Sequence, residues 1–335
     1  MNRRFALGLL VSFVLLGLLF WQVDAREVLA AFEAADPRLL AAAASVYLVA
    51  LFGKVLRWSL VLGAVEHPPV GADPARRWLV FDALFFGFFC NYVLPARLGE
   101  LGRSLLYARR SGVPIAAVIT TVVVGRLLDA IVLAGLFFVA LQVLPLPDGL
   151  PPWIATGART VGLGALVVIV GLAFGVRWLP RRAPERRSGA AGLWDRALGL
   201  GVLVRDGLAI GRMPGRAAAA VAATTVIWLL EGTALWILVR AFGHALPVAG
   251  AALQTVAAAY ASGAPAAPGG LGVHQWATVL ALAPFGVPRS VATAVSLVAT
   301  AYVWLWTLPL GLFGLWRQGG SIAEVRAEAA RVPPG

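Results

Sequence analysis

The sequence predicts an all-α polytopic membrane protein. Three observations predict this class: 60% of the 335 residues are apolar, only 13% are charged, and several apolar runs are long enough to cross a bilayer. Soluble globular domains reach only about 45–50% apolar residues even when Gly is counted. A membrane-spanning helix needs about 20 apolar residues. We therefore divide the chain into membrane spans within a single transmembrane domain, residues 1–335.

Six apolar stretches are predicted to cross the membrane completely. They cover residues 5–21, 39–62, 113–144, 154–176, 217–239 and 287–316. We interpret the first as an uncleaved anchor, because it exceeds the usual apolar core of a signal peptide and further spans follow it.

Three more stretches are too short to cross. At 1.5 Å per residue, residues 79–94 reach about 24 Å and residues 272–284 about 20 Å, against a hydrocarbon core of about 30 Å. The third covers residues 249–264. The positive-inside rule keeps the Arg-rich segments in the cytoplasm. It thus predicts re-entrant hairpins at residues 79–110, entering from the cytoplasm, and 249–284, entering from the outer face.

The formal net charge of +12 comes from 27 Arg and Lys54, and the predicted topology accounts for most of it. Both termini are predicted to be cytoplasmic in a cell membrane, including the tail at 317–335. Residues 180–215 form a basic cytoplasmic loop with an apolar periodicity typical of an interfacial helix. Attraction to anionic lipid explains the remaining basicity. No nucleic-acid-binding motif is present, so membrane lipids are the expected partners.

The scarcity of Cys and His disfavours metal and redox chemistry. One cysteine, Cys90, and the scattered His67, His244 and His274 cannot build a disulfide framework and disfavour a zinc or haem site. We expect no cofactor.

An internal repeat links the two predicted hairpins. Both contain P-x-x-L-G, beginning at Pro95 and Pro268, and both are followed by G-V-P, ending at Pro114 and Pro288. The predicted topology orients residues 1–144 and 154–316 oppositely, which makes them inverted halves. Interrupted helices in corresponding positions of inverted halves indicate a transporter-like site near the bilayer midplane. The alternative is that Pro and Gly only form turns in a non-transporting scaffold.

Ordered motifs carry a family resemblance over nearly the whole chain. Residues 91–103 read NYVLPARLGELGR, residues 125–129 read GRLLD, Glu231 follows, and residues 268–273 read PGGLGV. This pattern resembles the lysylphosphatidylglycerol synthase transmembrane region family, also called flippase-like. The resemblance implies a polytopic protein that moves lipids between leaflets, such as aminoacylated phosphatidylglycerol, polyprenyl-phosphate sugars or hopanoids. No lysyl-transferase domain is present, so the chain resembles the membrane half alone.

The chain departs from the family pattern at three places. The resemblance implies an acid where Gly125 stands, an acid after the PGGLGV turn where His274 and Gln275 stand, and an Arg near Thr300. The second half therefore lacks charges that the family pattern contains.

Charges within the spans are functional candidates, because each costs several kcal/mol in a membrane interior. Glu231 lies near the middle of its span. It is protonated, paired with Lys54, Arg57 or Arg126, or placed to couple protons to transport. Arg126 and Asp129 neutralise each other at i,i+3, or Arg126 binds phosphate. Lys54 and Arg57 rank lower because they can snorkel.

The second arm of the first hairpin carries the preferred headgroup site. Its polar residues fall in one arc of a helix: Arg97, Glu100, Arg103, Ser104, Tyr107 and Arg110. Guanidinium groups bind phosphate bidentately, with Glu100 orienting them. The alternative is an interfacial helix with a solvated face and an internal salt bridge. Near the turns, further candidates are Asn91, Pro95, Pro268, Gly269 and Gly270, the two glycines permitting close backbone approach.

The first functional hypothesis is a lipid translocase, not an enzyme, whose substrate has a phosphate-bearing headgroup. The second is a membrane-embedded lipid-modifying enzyme with a carboxylate base, which the lack of a nucleophile-base constellation disfavours. The third is a non-catalytic scaffold for a lipid or glycan synthase. A lipid-sized polar cavity between the hairpins would favour translocation, whereas a dry interface would favour the scaffold.

Overall fold

The computed structural model describes residues 3–65, 73–93, 99–143, 213–263 and 270–319, together with residues 156 and 160. This part contains ten α-helices, a short 3-10 turn and no β-strand. Nearly all of the predicted span at 154–176, the basic loop with its interfacial helix, and the tail beyond residue 319 lie outside the described residues.

Nine of these ten helices follow the predicted order along the chain, whereas the helix between the first two predicted spans was not predicted. The ten helices are α1 (Arg3–Trp21), α2 (Ala25–Ala34), α3 (Pro37–Leu62), α4 (Pro74–Val93), α5 (Gly99–Ser111), α6 (Ile115–Val143), α7 (Pro214–Ala241), α8 (Val248–Gly263), α9 (Val273–Leu282) and α10 (Arg289–Arg317). Local chemistry sets several of their starts. The side chains of Asp24 and Asp36 accept backbone N–H groups at the starts of α2 and α3, and Pro opens α3 and α7.

Four helices have the length and apolarity of membrane spans. These are α3, α6, α7 and α10, with 26 to 29 residues each. They coincide with four of the predicted spans, and large apolar side chains such as Leu56, Leu229 and Leu305 point outward from them. The chain is therefore a membrane protein, and its described part is all-helical. The total of six spans, their orientation and the inverted repeat stay predictions.

The predicted hairpins correspond to two helix pairs. In the first helix pair, α4 packs against α5, and in the second helix pair, α8 packs against α9. α4 begins at Pro74, ahead of the predicted start at residue 79, because Asp73 caps a first turn that is helical but not apolar. Glycines allow the close approach of α4 and α5: a Cβ on Gly87 would lie 2.7 Å from the carbonyl oxygen of Gly99.

The repeated G-V-P motif has a repeated backbone conformation. Gly112 and Gly286, which follow the first and second helix pairs, have φ angles of 75° and 73°. A residue with a positive φ angle can end a helix, and Gly adopts this conformation at the lowest energy because it has no Cβ. The next helices, α6 and α10, each have 29 residues. The two halves therefore share local geometry at this junction.

The long helices bring the two halves together. α3 packs along α7, and α10 packs along α4. Gly311 and Gly314 of α10 make the second contact close, since a Cβ on Gly314 would lie 3.0 Å from the backbone of Asp82. Buried residues from both halves form two of the apolar clusters around these helices. A polar region remains where the two helix pairs face the long helices.

Candidate functional site

A cavity of about 550 Å³ lies between the two helix pairs. Eight helices contribute to its wall, and this volume is within the range of small-molecule sites, about 300–1,000 Å³. Its charged and polar lining residues are Tyr47, Lys54, Asn91, Tyr92, Glu100, Arg126, Asp129, Trp228, Glu231, Thr255, His274, Thr300, Tyr302 and Thr307. Leu, Ala, Phe and Val side chains complete the wall. The cavity is therefore amphipathic and is formed by both helix pairs.

Two ion pairs fix the long helices around the cavity. Lys54 Nζ of α3 lies 2.6 Å from Glu231 Oε1 of α7. The Arg57 guanidinium, one turn after Lys54, pairs with Asp129 of α6. Asp129 also accepts a 3.2 Å hydrogen bond from the indole N–H of Trp228. These contacts join α3, α6 and α7 through charged groups at membrane depth.

A third ion pair links the first helix pair to α6. Arg126 Nε donates to Glu100 Oε1 at 2.6 Å, and Arg126 Nη2 donates to the same oxygen. Arg126 Nη1 is 4.0 Å from Asp129 Oδ2. One edge of the guanidinium group is therefore held by Glu100, while its third nitrogen faces Asp129.

Solvent exposure separates this third pair from the other two. The side chains of Lys54 and Glu231 are 22% and 14% exposed, and those of Arg57 and Asp129 are 11% and 17% exposed. Arg126 and Glu100 are 58% and 36% exposed. An exposed pair contributes about 0–1 kcal/mol, whereas breaking a buried pair costs several kcal/mol. The Arg126–Glu100 pair is thus the accessible charged group of the cavity.

Side-chain length allows Lys54 and Glu231 to meet. α3 and α7 pack along each other in opposite directions, since the backbone N–H of Asp36, just before α3, donates to the carbonyl oxygen of Ala241 at the end of α7 at 2.8 Å. The two long side chains then bridge the space between the helices. The sequence prediction included this pairing among three alternatives for Glu231.

Six of the predicted site residues line the cavity: Asn91, Glu100, Arg126, Asp129, Glu231 and Gly270. Asn91 also accepts the backbone N–H of Gly99 at 2.9 Å, which ties the end of α4 to the start of α5. The predicted Arg126–Asp129 neutralisation is a secondary contact, since each group has a closer partner. Pro95, Arg97, Pro268 and Gly269 lie outside the described residues.

The predicted polar arc of α5 does not form one exposed face. Ser104 and Tyr107 are fully buried, and the Tyr107 ring lies 5.5 Å from that of Trp58. The Arg103 guanidinium lies over Trp58 at 5.1 Å from its ring centroid and outside the cavity lining. Part of the arc is turned inward, where the Tyr107 ring and the Arg103 guanidinium pack against Trp58 of α3. The described part of the arc is therefore not one continuous exposed face. Glu100 is the described arc residue that lines the cavity, and phosphate binding by this helix stays a prediction.

Some paired charged residues were ranked too low or were missed. Lys54 and Arg57 were expected to snorkel, but they pair with Glu231 and Asp129 instead. Asp82 of α4 was not considered; it is fully buried and lies 3.2 Å from Arg317, and its Oδ2 accepts a 2.6 Å hydrogen bond from Gln318. The available signal was an acid within an apolar run.

The second half places a neutral pair where the family resemblance implies charges. Gln275 Nε2 donates to Thr300 Oγ1 at 3.1 Å, and Gln275 Oε1 accepts the backbone N–H of Gly272 at 2.7 Å. Gln275 is fully buried. In the described part of the chain, no three His, Cys, Asp or Glu side chains come together as ligands for a metal ion.

Together, the fold and the cavity define a helical membrane protein with an amphipathic cavity between two helix pairs. The chain belongs to the Lysylphosphatidylglycerol synthase TM region family, whose profile matches residues 5–311. A stretch of 143 residues is 29% identical to a protein named Glycosyltransferase AglD from Haloferax volcanii. The match covers 43% of this chain and 22% of that relative. No solved structure matches the chain.

Proposed function

We propose that this protein is a lipid translocase of the cell membrane, and that its substrate has a phosphate-bearing headgroup. The observation that carries the proposal is the amphipathic cavity of about 550 Å³ between the two helix pairs, with the exposed Arg126 in its wall. A solid interface at this place would have favoured the scaffold hypothesis. In the proposed mechanism the headgroup enters the cavity while the acyl or prenyl tails stay in lipid.

The lining supports a role in carrying a polar group through an apolar medium. A charged headgroup loses its hydration in the hydrocarbon core, so it needs replacement partners. Arg126 supplies planar donors suited to phosphate oxygens. Asn91, Thr255 and Thr300 supply neutral hydrogen-bonding groups, while Leu51, Phe88 and Leu238 supply apolar surface.

The second step of the proposal concerns movement. We propose that the two halves are an inverted repeat, with both termini in the cytoplasm, and that they rock about the cavity. The repeated junctions at Gly112 and Gly286 and the antiparallel packing of α3 against α7 support this arrangement. Glu231 and Asp129 would adjust the charge of the cavity, or carry protons, during the cycle.

The substrate class follows from the cavity and from the relatives. The family description names a lipid synthase, and the relative is named a glycosyltransferase. Lipid and glycan chemistry in membranes share phosphate-bearing lipids. We therefore propose a phospholipid or a polyprenyl-phosphate carrier as substrate.

A second candidate is a membrane-embedded lipid-modifying enzyme. The name of the relative favours it, and so do the three carboxylates of the cavity, Glu100, Asp129 and Glu231, since a carboxylate can act as a general base. Each of them is paired with a cation and would have to leave it before taking a proton from a substrate. This candidate is therefore the weaker one.

A reconstituted assay tests the proposal. Vesicles containing the purified protein receive labelled phosphatidylglycerol or a labelled polyprenyl phosphate, and loss of label accessible to an external quencher reports movement. We expect movement well above that of protein-free vesicles, a strong decrease for Arg126→Ala, and no change for Arg26→Ala, a control at an exposed position of α2. Movement equal to that of protein-free vesicles would overturn the proposal. Chemically altered lipid, found by mass spectrometry, would favour the enzyme.

A further inference from the structure

We propose that Glu100 is an exchangeable counterion: it occupies the edge of Arg126 that a headgroup phosphate takes, and substrate binding displaces it. This inference rests on the proposed function, because it names how the same cavity receives its ligand. It assigns Glu100 a positioning role that differs from simply orienting the arginines.

The geometry of the pair carries the first step. Nε and Nη2 of Arg126 both donate to one oxygen, Oε1 of Glu100. These two nitrogens form an edge of the guanidinium group that can bind two phosphate oxygens in parallel. The remaining nitrogen, Nη1, faces Asp129 at 4.0 Å. A phosphate therefore reaches this bidentate edge only when the Glu100 carboxylate leaves it.

Comparison of the three carboxylates of the cavity shows which one is displaced from its cation most easily. Asp129 is held by both Arg57 and Trp228 and is 17% exposed. Glu231 is 14% exposed and close to Lys54. Within the described residues the Glu100 side chain pairs with Arg126 alone, and it is 36% exposed. Since an exposed pair contributes about 0–1 kcal/mol, displacing Glu100 costs the least.

The N-terminus of α5 can stabilise the Glu100 carboxylate after its displacement. It is in the first turn of α5, a helix of 13 residues. A carboxylate is stabilised near a helix N-terminus, where backbone N–H groups lack partners within the helix. The displaced Glu100 can therefore stay charged at the edge of the cavity without a new cation.

Displacement would link ligand binding to the position of the first helix pair. The Arg126–Glu100 contact connects α5 to α6, so a phosphate on Arg126 loosens this connection. A ligand shifts a conformational equilibrium only if it binds the two conformations differently. Exchange of Glu100 for phosphate supplies such a difference, and the return of Glu100 to Arg126 expels the headgroup.

The test compares affinity with transport in Glu100→Gln. Full-length protein in phosphate-free maltoside micelles is titrated with fluorescent phosphatidylglycerol, and inorganic phosphate is added as a competitor in a second arm. We expect Glu100→Gln to bind the lipid about two- to fivefold more tightly, since an exposed ion pair is worth at most about 1 kcal/mol. We also expect it to move lipid more slowly in vesicles, because release is no longer assisted. Glu33→Gln, an exposed acid on α2, is the control and should change neither quantity.

Each result has a defined meaning. Tighter binding with slower movement supports the exchange, since a purely structural defect weakens both. Unchanged or weaker lipid binding in Glu100→Gln and in Glu100→Ala overturns it, while leaving the proposed function intact if the natural protein still moves lipid. Failure of the natural protein to bind or move any phosphate lipid overturns the proposed function itself. Inorganic phosphate that binds without competing with the lipid would overturn the inference as well.

Discussion

The two halves of the cavity wall share a helix plan and differ in their charges. The first half, α3 to α6, lines the cavity with four charged residues: Lys54, Glu100, Arg126 and Asp129. In the described second half, α7 to α10, the lining contains the carboxylate Glu231 and the imidazole His274. The difference is clearest at equivalent places. Arg126 and Thr300 stand equally far from the first residues of α6 and α10, two helices of the same length, and both line the cavity.

This comparison separates what the fold needs from what the site needs. At Thr300 a neutral hydrogen bond from Gln275 stands in place of an ion pair. The helix plan therefore does not require an ion pair at this level. Charged groups in a membrane interior are costly, so we propose that those of the first half serve ligand binding. In this proposal the first half binds the anionic group and the second half supplies neutral contacts.

The largest expected effect concerns the charged link between the halves. Lys54→Met or Glu231→Met alone leaves one buried charge without its partner, which should cost about 3–5 kcal/mol of unfolding free energy. The double variant should recover most of this loss because no charge is left unpaired. Denaturant unfolding of the purified proteins in micelles measures the unfolding free energy of the two single variants and the double variant. A double-variant loss equal to the sum of the two single losses would show that the pair does not connect the halves energetically.

Introducing charge into the second half should have the next largest effect. Gln275→Glu alone places a carboxylate at a fully buried position and should cost about 3 kcal/mol. Gln275→Glu combined with Thr300→Arg supplies a partner on α10, at the residue that Gln275 already contacts, and it should recover at least half of the loss. The same unfolding measurement applies. If the double variant is no better than the single one, the two halves are not equivalent at this level.

Removing the anion-binding group should affect the ligand more than the fold. Arg126→Ala should weaken the binding of fluorescent phosphatidylglycerol about 30-fold. This factor corresponds to the loss of charge-assisted hydrogen bonds worth about 2 kcal/mol. Thr300→Ala at the equivalent place should weaken it less than twofold. Arg126→Lys, which keeps the charge but loses the planar edge, should lie between them. Equal effects of Arg126→Ala and Thr300→Ala would remove the proposed division of roles.

The smallest expected effect tests the packing of α10 against the first helix pair. Gly314→Ala places a methyl group 3.0 Å from the backbone of Asp82 and should cost about 1 kcal/mol, after the helix propensity of Ala is allowed for. Gly135→Ala in α6 meets no atom within 4 Å, so it should be neutral or stabilising. Thermal unfolding distinguishes the two. A stabilised Gly314→Ala would indicate that α10 and α4 are not in close contact.

Much of the fold was accessible from the sequence because apolar runs and Pro or Gly interruptions are local signals. They located α3, α6, α7 and α10 and both helix pairs. Which charged residues of different helices pair with each other was harder to predict. Arg57 and Asp129 are far apart in the sequence, and helix periodicity alone does not show which faces meet. The buried face of α5 was predicted incorrectly for the same reason, because it packs against Trp58 on another helix.

The most direct test of the central claim is the position of the bound headgroup. Phosphatidylglycerol with a photoreactive headgroup is cross-linked to the reconstituted protein, and the modified residues are mapped by mass spectrometry. We predict cross-links at cavity residues of both halves, such as Tyr92 and Tyr302, that disappear in Arg126→Ala. Cross-links confined to outward-facing residues such as Leu56 and Leu229, and unchanged in Arg126→Ala, would contradict a headgroup site in the cavity.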